Sequence, residues 1–386
     1  MMHLQLDEAT LIRAGALHTA REIEQQPVSW ERTFALLRER RASVSAFLAP
    51  LLARPELRII LTGAGSSAFI GECLAPTLTR LLNRQVLALA TTDLLSGPRE
   101  YLLPDVPTLL VSFGRSGGSP ESIAVVELAG RLLSECHQLI ITCNEQGALY
   151  QRCQSARRSL ALLMPAETHD QSFAMTSSFT SMMLAGLLAF DDGNAQAQAG
   201  TLAHLGAGAR QVLSRHNETL RALASADYSR VVYLGSNALK AIAREAALKL
   251  LELTDGQVVA GFESALGFRH GPKTIVNGDT LLVMFVSNDP YTRRYDLDLL
   301  RELRADGRAG AVLAISARSD DRVTQGQFLH LEGLDAAPDC ELAFPYVVCA
   351  QLYAFHRALQ LGNQPDQPSV SGTVSRVVRG VTIHPW

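Results

Sequence analysis

Lysine is nearly absent from this chain of 386 residues. Only three of the 35 Lys and Arg residues are lysines, and Lys240, Lys249 and Lys273 fall within 34 consecutive positions. Lysine is a compact cation whose pKa the surroundings can shift, whereas arginine stays protonated. The region that contains the three lysines is therefore a candidate for a functional site that needs a lysine rather than an arginine. The net charge of −3, without helix-turn-helix or zinc-finger spacing, argues against a nucleic-acid partner.

Long apolar runs and a signal peptide are also lacking. The longest apolar runs reach only about 8 to 14 residues, which is too short to span a bilayer. The N-terminus lacks the basic-then-apolar order of a signal peptide. The six cysteines show no CxxC motif, and several lie within apolar runs. We therefore expect a cytoplasmic protein with reduced thiols and no membrane partner.

Strand-like apolar runs alternate with helical patterns, which predicts βαβ units and parallel sheets. The runs form two series, at 57–63, 108–114, 139–144 and 159–165, and at 230–236, 280–287, 311–316 and 327–333. Gly63 and Gly235 are 172 positions apart, and so are Thr108 and Thr280. This offset predicts two copies of one α/β domain, which we call the first copy and the second copy. Chance matching of short apolar runs is the alternative.

The segments around the two copies complete the predicted organisation. We expect an N-terminal helical segment (1–40), a first domain (41–195), a helical connection (196–225), a second domain (226–364) and a C-terminal tail (365–386). No strand pattern precedes about residue 55. The VV and VTI pieces of the tail predict that it lies ordered against another surface.

Two loops of the first copy follow predicted strands and open predicted helices. GAGSSAFIGE (63–72) contains Ser66 and Ser67, and Ala68 stands where the dinucleotide fingerprint GxGxxG needs glycine. SFGRSGGSPES (112–122) has no P-loop lysine. Serine hydroxyls and helix N-termini bind anions, and open parallel sheets bind ligands at their carboxyl edge. The pair predicts a site for a single phosphate ester; serine-capped turns are the alternative.

The second copy lacks such a loop but has a charged stripe. In GSNALKAIAREAALKLLELTDG, Glu245, Lys249 and Glu252 lie on one narrow helical face. Such a stripe is usually solvated. Because the flanking residues are apolar nearly all round, we expect a buried helix whose charges are paired or functional.

These motifs resemble the sugar isomerase (SIS) family, in the double-domain arrangement of the isomerase half of glucosamine-6-phosphate synthase. The most specific pieces are GAGSS, SFGRSGGSPES, EAALKLLEL, RHGPK and the tail DQP. The finer pattern, such as ETHDQSFAMTSSFT and PYTRRYDLDLL, is similar to the bacterial galactosamine-6-phosphate deaminase/isomerase group, often labelled tagatose-6-phosphate ketose/aldose isomerase. The resemblance implies two tandem SIS domains, each a parallel sheet flanked by helices in a flavodoxin-like three-layer sandwich.

The resemblance assigns substrate-binding residues in the first copy. Ser67, Arg115, Ser116 and Ser119 match the phosphate and sugar contacts of the family, and we add the hydroxyl of Ser66. The synthase has glutamine in place of Arg115, so the strength of phosphate binding and the substrate specificity stay open.

The resemblance also assigns the proton-transfer residues. Glu252 matches the carboxylate that moves a proton between C1 and C2. His270 matches the histidine that opens the sugar ring, which the neighbouring subunit provides in the synthase. Lys249 is a catalytic candidate because it can pair with Glu252 or the enediolate oxygen, and Glu245 on the same helix is assigned to substrate binding.

The remaining lysines and the tail depart from the synthase. Lys273 is expected to fix the Gly-Pro loop, and Lys240 to lie at the surface. The synthase uses a tail lysine, whereas no lysine follows Lys273 here. Arg376 and Arg379 are the candidates to replace it, but neither forms a Schiff base at neutral pH.

Together these features predict an enzyme without cofactor or metal. Because no amidotransferase segment precedes the first domain, we expect conversion of D-galactosamine 6-phosphate to D-tagatose 6-phosphate and ammonia, by a homodimer or higher homo-oligomer. One alternative is ketose/aldose isomerisation of a hexose 6-phosphate without deamination. The other is a sugar-phosphate sensor without catalysis. The sugar epimer and the choice between dimer and tetramer stay open.

Overall fold

The computed structural model describes residues 1–191, 193–378 and 380–386, and it contains two five-stranded parallel sheets. The first-copy unit comprises Val28–Asp170, Ser177–Gln198 and Gly372–Trp386. The second-copy unit comprises Met1–Pro27, Gln171–Thr176 and Ala199–Ser371. One sheet lies in each unit. The domain limits predicted from the sequence stay predictions.

The N-terminal segment is helical, as predicted, apart from a short antiparallel pair of strands. The pair consists of β1 (Met2–His3) and β2 (Leu6–Asp7). The helices are α1 (Glu8–Arg13), α2 (Leu17–Glu24), α3 (Gln26–Glu39) and α4 (Arg41–Leu52). Sequence periodicity missed the pair because two residues cannot display an alternating pattern.

The first sheet has the order β4-β3-β5-β6-β7. Its strands are β3 (Arg58–Thr62), β4 (Val86–Ala88), β5 (Thr108–Gly114), β6 (Cys136–Thr142) and β7 (Ser159–Leu163). The helices are α5 (Ser66–Leu82), α6 (Thr91–Ser96), α7 (Pro98–Tyr101), α8 (Pro120–Leu132), α9 (Ala148–Ser155) and α10 (Ser177–Phe190), with a 3-10 turn at Ala166–Thr168.

The predicted helical stretch between the copies is confirmed. It consists of α11 (Ala195–Gln211), a π-helical turn (Val212–His216) and α12 (Asn217–Ser225).

The second sheet has the order β9-β8-β10-β11-β12. Its strands are β8 (Arg230–Leu234), β9 (Val259–Glu263), β10 (Thr280–Phe285), β11 (Ala311–Ser316) and β12 (Phe328–His330). The helices are α13 (Ala238–Leu253), α14 (Ala265–Phe268), α15 (Thr292–Asp306), α16 (Asp321–Thr324) and α17 (Asp339–Gln360), with a 3-10 turn at Pro272–Ile275.

The two sheets confirm the predicted duplication. Both have the flavodoxin-like strand order 2-1-3-4-5, and neighbouring strands are parallel throughout. Even the register repeats, because Arg58 pairs with Thr108 and Arg230 pairs with Thr280. The sequence missed the edge strands β4 and β9. The first has only three residues, and the second is largely half-buried and contains a glycine.

Helices cover both faces of the first sheet, which confirms the three-layer arrangement. On one face Ile60 packs in a core cluster with Val125 of α8. On the other face, a Cβ at Gly71 of α5 would lie 3.0 Å from Leu61. The central strands are continuous apolar runs because both faces are buried. Among the described residues, no helix is long and apolar enough to cross a membrane.

The C-terminal tail has no regular element where it is described. The predicted burial is wrong for Val378, Val381 and Ile383, which are 49%, 36% and 38% exposed. Polar contacts rather than an apolar face hold the tail, and they are described with the site below. Arg379 lies outside the described residues.

Candidate active site

The first loop of the first copy brings the start of α5 against the end of β3. Gly65 precedes the helix with φ +56°, a conformation that favours glycine. A Cβ at Gly63 would lie 2.6 Å from the main chain of Ser67, so only glycine allows this approach. Ser66 and Ser67 are the first two residues of α5, and both are buried.

The second loop follows β5, the strand next to β3, and is held by hydrogen bonds from the last residue of β6 and from the segment after it. Gly117 has φ +58°. The Thr142 hydroxyl donates to the Gly114 carbonyl at 2.6 Å, and the Asn144 side-chain amide donates to the Ser116 carbonyl at 2.8 Å. Since β3 and β5 are hydrogen-bonded neighbours, both serine-containing loops lie at one carboxyl edge of the sheet.

The loop serines bond within the loop and the start of α8. The Ser116 hydroxyl accepts from the Gly118 N–H at 3.2 Å, and the Ser119 hydroxyl donates to Ser122 at 2.7 Å. Within the described part of the chain, Ser119 precedes α8 without a side-chain capping bond to it. The capped-turn alternative therefore does not describe Ser119.

Arg115 connects this loop to the C-terminal tail. Its guanidinium is buried and donates to the main-chain carbonyl of Arg376 at 2.8 Å. The Arg376 guanidinium donates in turn to the carbonyl of Asp170. The Asp170 carboxylate is buried and accepts from the Ser178 N–H at 2.9 Å, which holds this segment at the start of α10.

His169 lies close enough to Arg115 and Arg376 for their charges to act on it, and it was not singled out in the sequence analysis. Burial lowers the pKa of His169, and the charges of Arg376 and Arg115 lower it further. The only sequence feature that could have pointed to a function for His169 is its position in the ETHDQSF segment after β7. A single histidine is weak evidence of function, so this feature was not sufficient.

The charged stripe of the second copy lies on α13, which packs against β8, β9 and α17. Glu245 and Lys249 are buried, with the Lys249 Nζ 3.5 Å from Glu245 Oε1. Lys249 also forms an ion pair with the carboxylate of Glu252, whose side chain is 21% exposed. The predicted pairing of these charges is confirmed, and their burial is confirmed for Glu245 and Lys249. Of the three side chains, Glu252 alone reaches the surface of its unit.

The RHGPK loop follows α14 and turns at Gly271, where φ is +123°. His270 is exposed in this loop. The Lys273 ammonium lies 2.5 Å from Asp306 and also pairs with Glu302, both on α15. The expectation that Lys273 fixes the loop is confirmed.

Lys240 is partly exposed, as expected, and lies 3.1 Å from Glu263. Among the residues that the structure describes, no group of three or more His, Cys, Asp or Glu side chains is arranged to hold a metal ion.

The structure places the predicted site residues in two groups. Ser66, Ser67, Arg115, Ser116 and Ser119 lie at one edge of the first sheet, and Glu245, Lys249 and Glu252 lie on one helix of the second-copy unit. Their roles, that of His270 and the absence of a cofactor stay predictions.

The SIS-domain family model matches residues 51–191 and 223–360. Each matched segment contains one of the two sheets. The chain belongs to the SIS-domain family.

Several SIS proteins resemble the chain over nearly its whole length. It is 49% identical over 376 residues to the D-galactosamine-6-phosphate deaminase AgaS of Escherichia coli, covering 95% of this chain and 96% of the relative. The crystal structure of tagatose-6-phosphate ketose/aldose isomerase from Escherichia coli is 47% identical, with a TM-score of 0.89 over 96% of both chains. A crystal structure from Clostridium novyi is 38% identical, with a TM-score of 0.97 over 100% of both chains.

Proposed function

We propose that this SIS protein is a D-galactosamine-6-phosphate deaminase that forms D-tagatose 6-phosphate and ammonia. The observation that carries the proposal is the 49% identity to a deaminase of that name, extending over 95% of this chain. The pair of serine-containing loops at one sheet edge supports a phosphorylated substrate.

The first-copy loops are the proposed phosphate site. Ser66, Ser67, Ser116 and Ser119 supply hydroxyls, and helices α5 and α8 both begin there. Arg115 supplies a buried positive charge beside these hydroxyls. Charge-assisted hydrogen bonds to a phosphate ester account for most of the proposed binding energy.

The proposed chemistry is proton transfer between neighbouring carbons. His270 assists ring opening, and Glu252 removes the proton from C2 of the open aldehyde. Protonation at C1 converts the enolamine into a ketimine, to which water adds at C2, and the C2–N bond breaks to release ammonia and leave the ketone. The ion pair with Lys249 orients the Glu252 carboxylate, and Glu245 holds Lys249 from the buried side.

An ammonia-release assay tests the function. We expect ammonia and tagatose 6-phosphate in equal amounts from galactosamine 6-phosphate, and less from glucosamine 6-phosphate or the N-acetylated 6-phosphates. A second candidate is ketose/aldose isomerisation, favoured by the 47% identity to the crystal structure of tagatose-6-phosphate ketose/aldose isomerase. Interconversion of hexose 6-phosphates without ammonia would support that reaction. Binding without any turnover would support a sensor.

We also propose that the enzyme is a cytoplasmic homo-oligomer, a dimer or larger, in which His270 serves a neighbouring chain. The exposure of His270 on its loop supports this assignment. Inactive His270→Ala and Glu252→Gln variants should then restore activity when their subunits are exchanged. No recovery despite demonstrated exchange would contradict the shared site.

A further inference from the structure

The loops at the strand ends of the second copy (235–238 and 286–292) correspond to those of the first copy (63–66 and 114–120). Helices α5 and α13 begin 172 residues apart, and so do α8 and α15. The strands that precede these helices keep the same offset and register. Both copies therefore present the same two helix starts at the same edge of the sheet.

The backbone before the first helix is also retained. Gly65 has φ +56° and ψ −131°, and Asn237 has φ +53° and ψ −122°. Residues other than glycine rarely adopt this backbone conformation, because their Cβ atom is crowded there. Asn237 adopts it nonetheless, so the second copy keeps the loop geometry even without the glycine that makes it easy.

The side chains at the helix start have changed. Ser66 and Ser67, which carry hydroxyls in the first copy, correspond to Ala238 and Leu239 in the second. This helix start therefore lacks the two side-chain donors that we assign to phosphate binding.

A carboxylate joins the two loops of the second copy instead. Asp296 is the fifth residue of α15, where the first copy has Ala124 as the fifth residue of α8. The Asp296 side chain is fully buried, and it accepts from the Ser236 hydroxyl at 2.6 Å and from the Ser287 N–H at 2.9 Å. Ser236 belongs to the first loop and Ser287 to the second, so a single carboxylate bridges both.

A second carboxylate completes the arrangement. Asp339 accepts from the Ser287 hydroxyl at 2.6 Å and from the Asn288 N–H at 2.9 Å. Arg293 is the buried cation that faces these groups, donating to the Ser287 carbonyl at 3.1 Å and to Asp320 at 2.8 Å. Three donors of the second loop, the N–H and hydroxyl of Ser287 and the N–H of Asn288, are thus bound by carboxylates of the chain itself.

We propose that the second copy retains the phosphate-binding loop geometry of the first and fills it with the Asp296 carboxylate, so that each chain binds one phosphosugar, at the first copy. The inference rests on the proposed function for the assignment of the first-copy loops to phosphate. A buried carboxylate is costly unless donors surround it, and here the donors come from both loops. Its charge also repels a second anion.

The first experiment replaces Asp296 by alanine, the residue at the corresponding position 124 of the first copy. Asp296→Ala should melt at a lower temperature than the parent protein in chloride buffer. Inorganic phosphate at equal ionic strength should raise its melting temperature by more than it raises that of the parent protein. The control is Leu299→Ala, a buried position on the same helix, for which the phosphate shift should equal that of the parent protein. Equal shifts in all three proteins would overturn the proposal.

The reciprocal experiment fills the first copy. Ala124→Asp places a carboxylate where the second copy has Asp296, and Ala124→Asn places a neutral side chain of the same size there. We expect inorganic phosphate to bind the Asp variant about tenfold or more weakly than the Asn variant, because like charges repel. Circular dichroism checks that both variants fold. Equal phosphate affinity of two folded variants would overturn the proposal.

The stoichiometry of the parent protein is an independent measurement that needs no variant. Calorimetric titration with inorganic phosphate should saturate at one site per chain, and two equivalent sites would overturn the inference. None of these readouts depends on turnover. A chain that behaves in this way but releases no ammonia would contradict the proposed deaminase activity and leave the inference intact.

Discussion

The guanidinium of Arg115 donates a hydrogen bond of 2.8 Å to the main-chain carbonyl of Arg376, 261 residues later in the chain. The Arg376 guanidinium binds the carbonyl of Asp170, so the tail is held from both directions. The tail therefore constrains the only arginine of the first-copy strand-end loops, the group that we assign to phosphate. We propose that Arg376 acts as a positioning residue in this arrangement.

Arg376→Ala should weaken substrate binding more than turnover. The variant loses the side-chain hydrogen bond to Asp170 but keeps the main-chain carbonyl that Arg115 binds. Only part of the about 1.5 to 3 kcal/mol of a hydrogen bond to a charged group is therefore lost at the site, and we expect KM for galactosamine 6-phosphate to rise severalfold while kcat changes little. Steady-state ammonia release gives both constants. Val381→Ala, at an exposed position of the same tail, is the control and should leave both unchanged. An unaltered KM in Arg376→Ala would show that the tail does not position Arg115.

Glu252→Gln should abolish ammonia release while keeping substrate affinity within a few-fold. The amide has the shape of the carboxylate but cannot accept the C2 proton. Calorimetric binding and the ammonia assay separate the two effects. Glu218→Gln, an exposed acid on α12, should retain full activity. Normal turnover in Glu252→Gln would remove this residue from the mechanism.

Lys249→Met should destabilise the protein strongly. It leaves the buried carboxylate of Glu245 without its cation, and breaking a buried pair from one side costs about 3 to 5 kcal/mol. Adding Glu245→Gln should recover a large part of that loss, because the uncompensated charge is then gone. Urea unfolding of the two single variants and the double variant measures the coupling. Additive losses would contradict a buried charge pair.

The pH dependence of stability should report Asp296. Burial raises the pKa of Asp296 to about 6 from the ordinary 3.8, with a smaller contribution from the neighbouring Asp339 and an opposing one from Arg293. A raised folded-state pKa means that the folded protein binds the proton more tightly, so this stabilisation is full below about pH 4 and is lost as the pH rises through about 6.

Relative to Asp296→Asn, the free energy of unfolding of the parent protein should therefore fall by about 2.4 kcal/mol between pH 4 and 7. Urea unfolding of both proteins at matched pH values measures this difference. A difference independent of pH would show that the carboxylate keeps its ordinary pKa, although it is buried.

The parallel sheets and their duplication could be predicted from the sequence because their signals are local. A strand buried on both faces is a continuous apolar run, and two such runs recur after 172 residues. The charged stripe on α13 was also predictable, since residues three and four apart share a helical face. The edge strands β7 and β12 were predicted, whereas β4 and β9 were missed because β4 has only three residues and β9 is largely half-buried.

Contacts between distant segments were decided only by the tertiary structure. Nothing in the local sequence links Arg115 to Arg376, because chain folding sets that distance and neither residue is unusual in its own segment. The sequence pattern predicts that Asp296 is an ordinary polar residue of an amphipathic helix, yet the side chain is fully buried and bound by Ser236 and Ser287. Whether a carboxylate faces water or fills a loop depends on which donors surround it, and those donors come from two strand ends that only the folded sheet brings together.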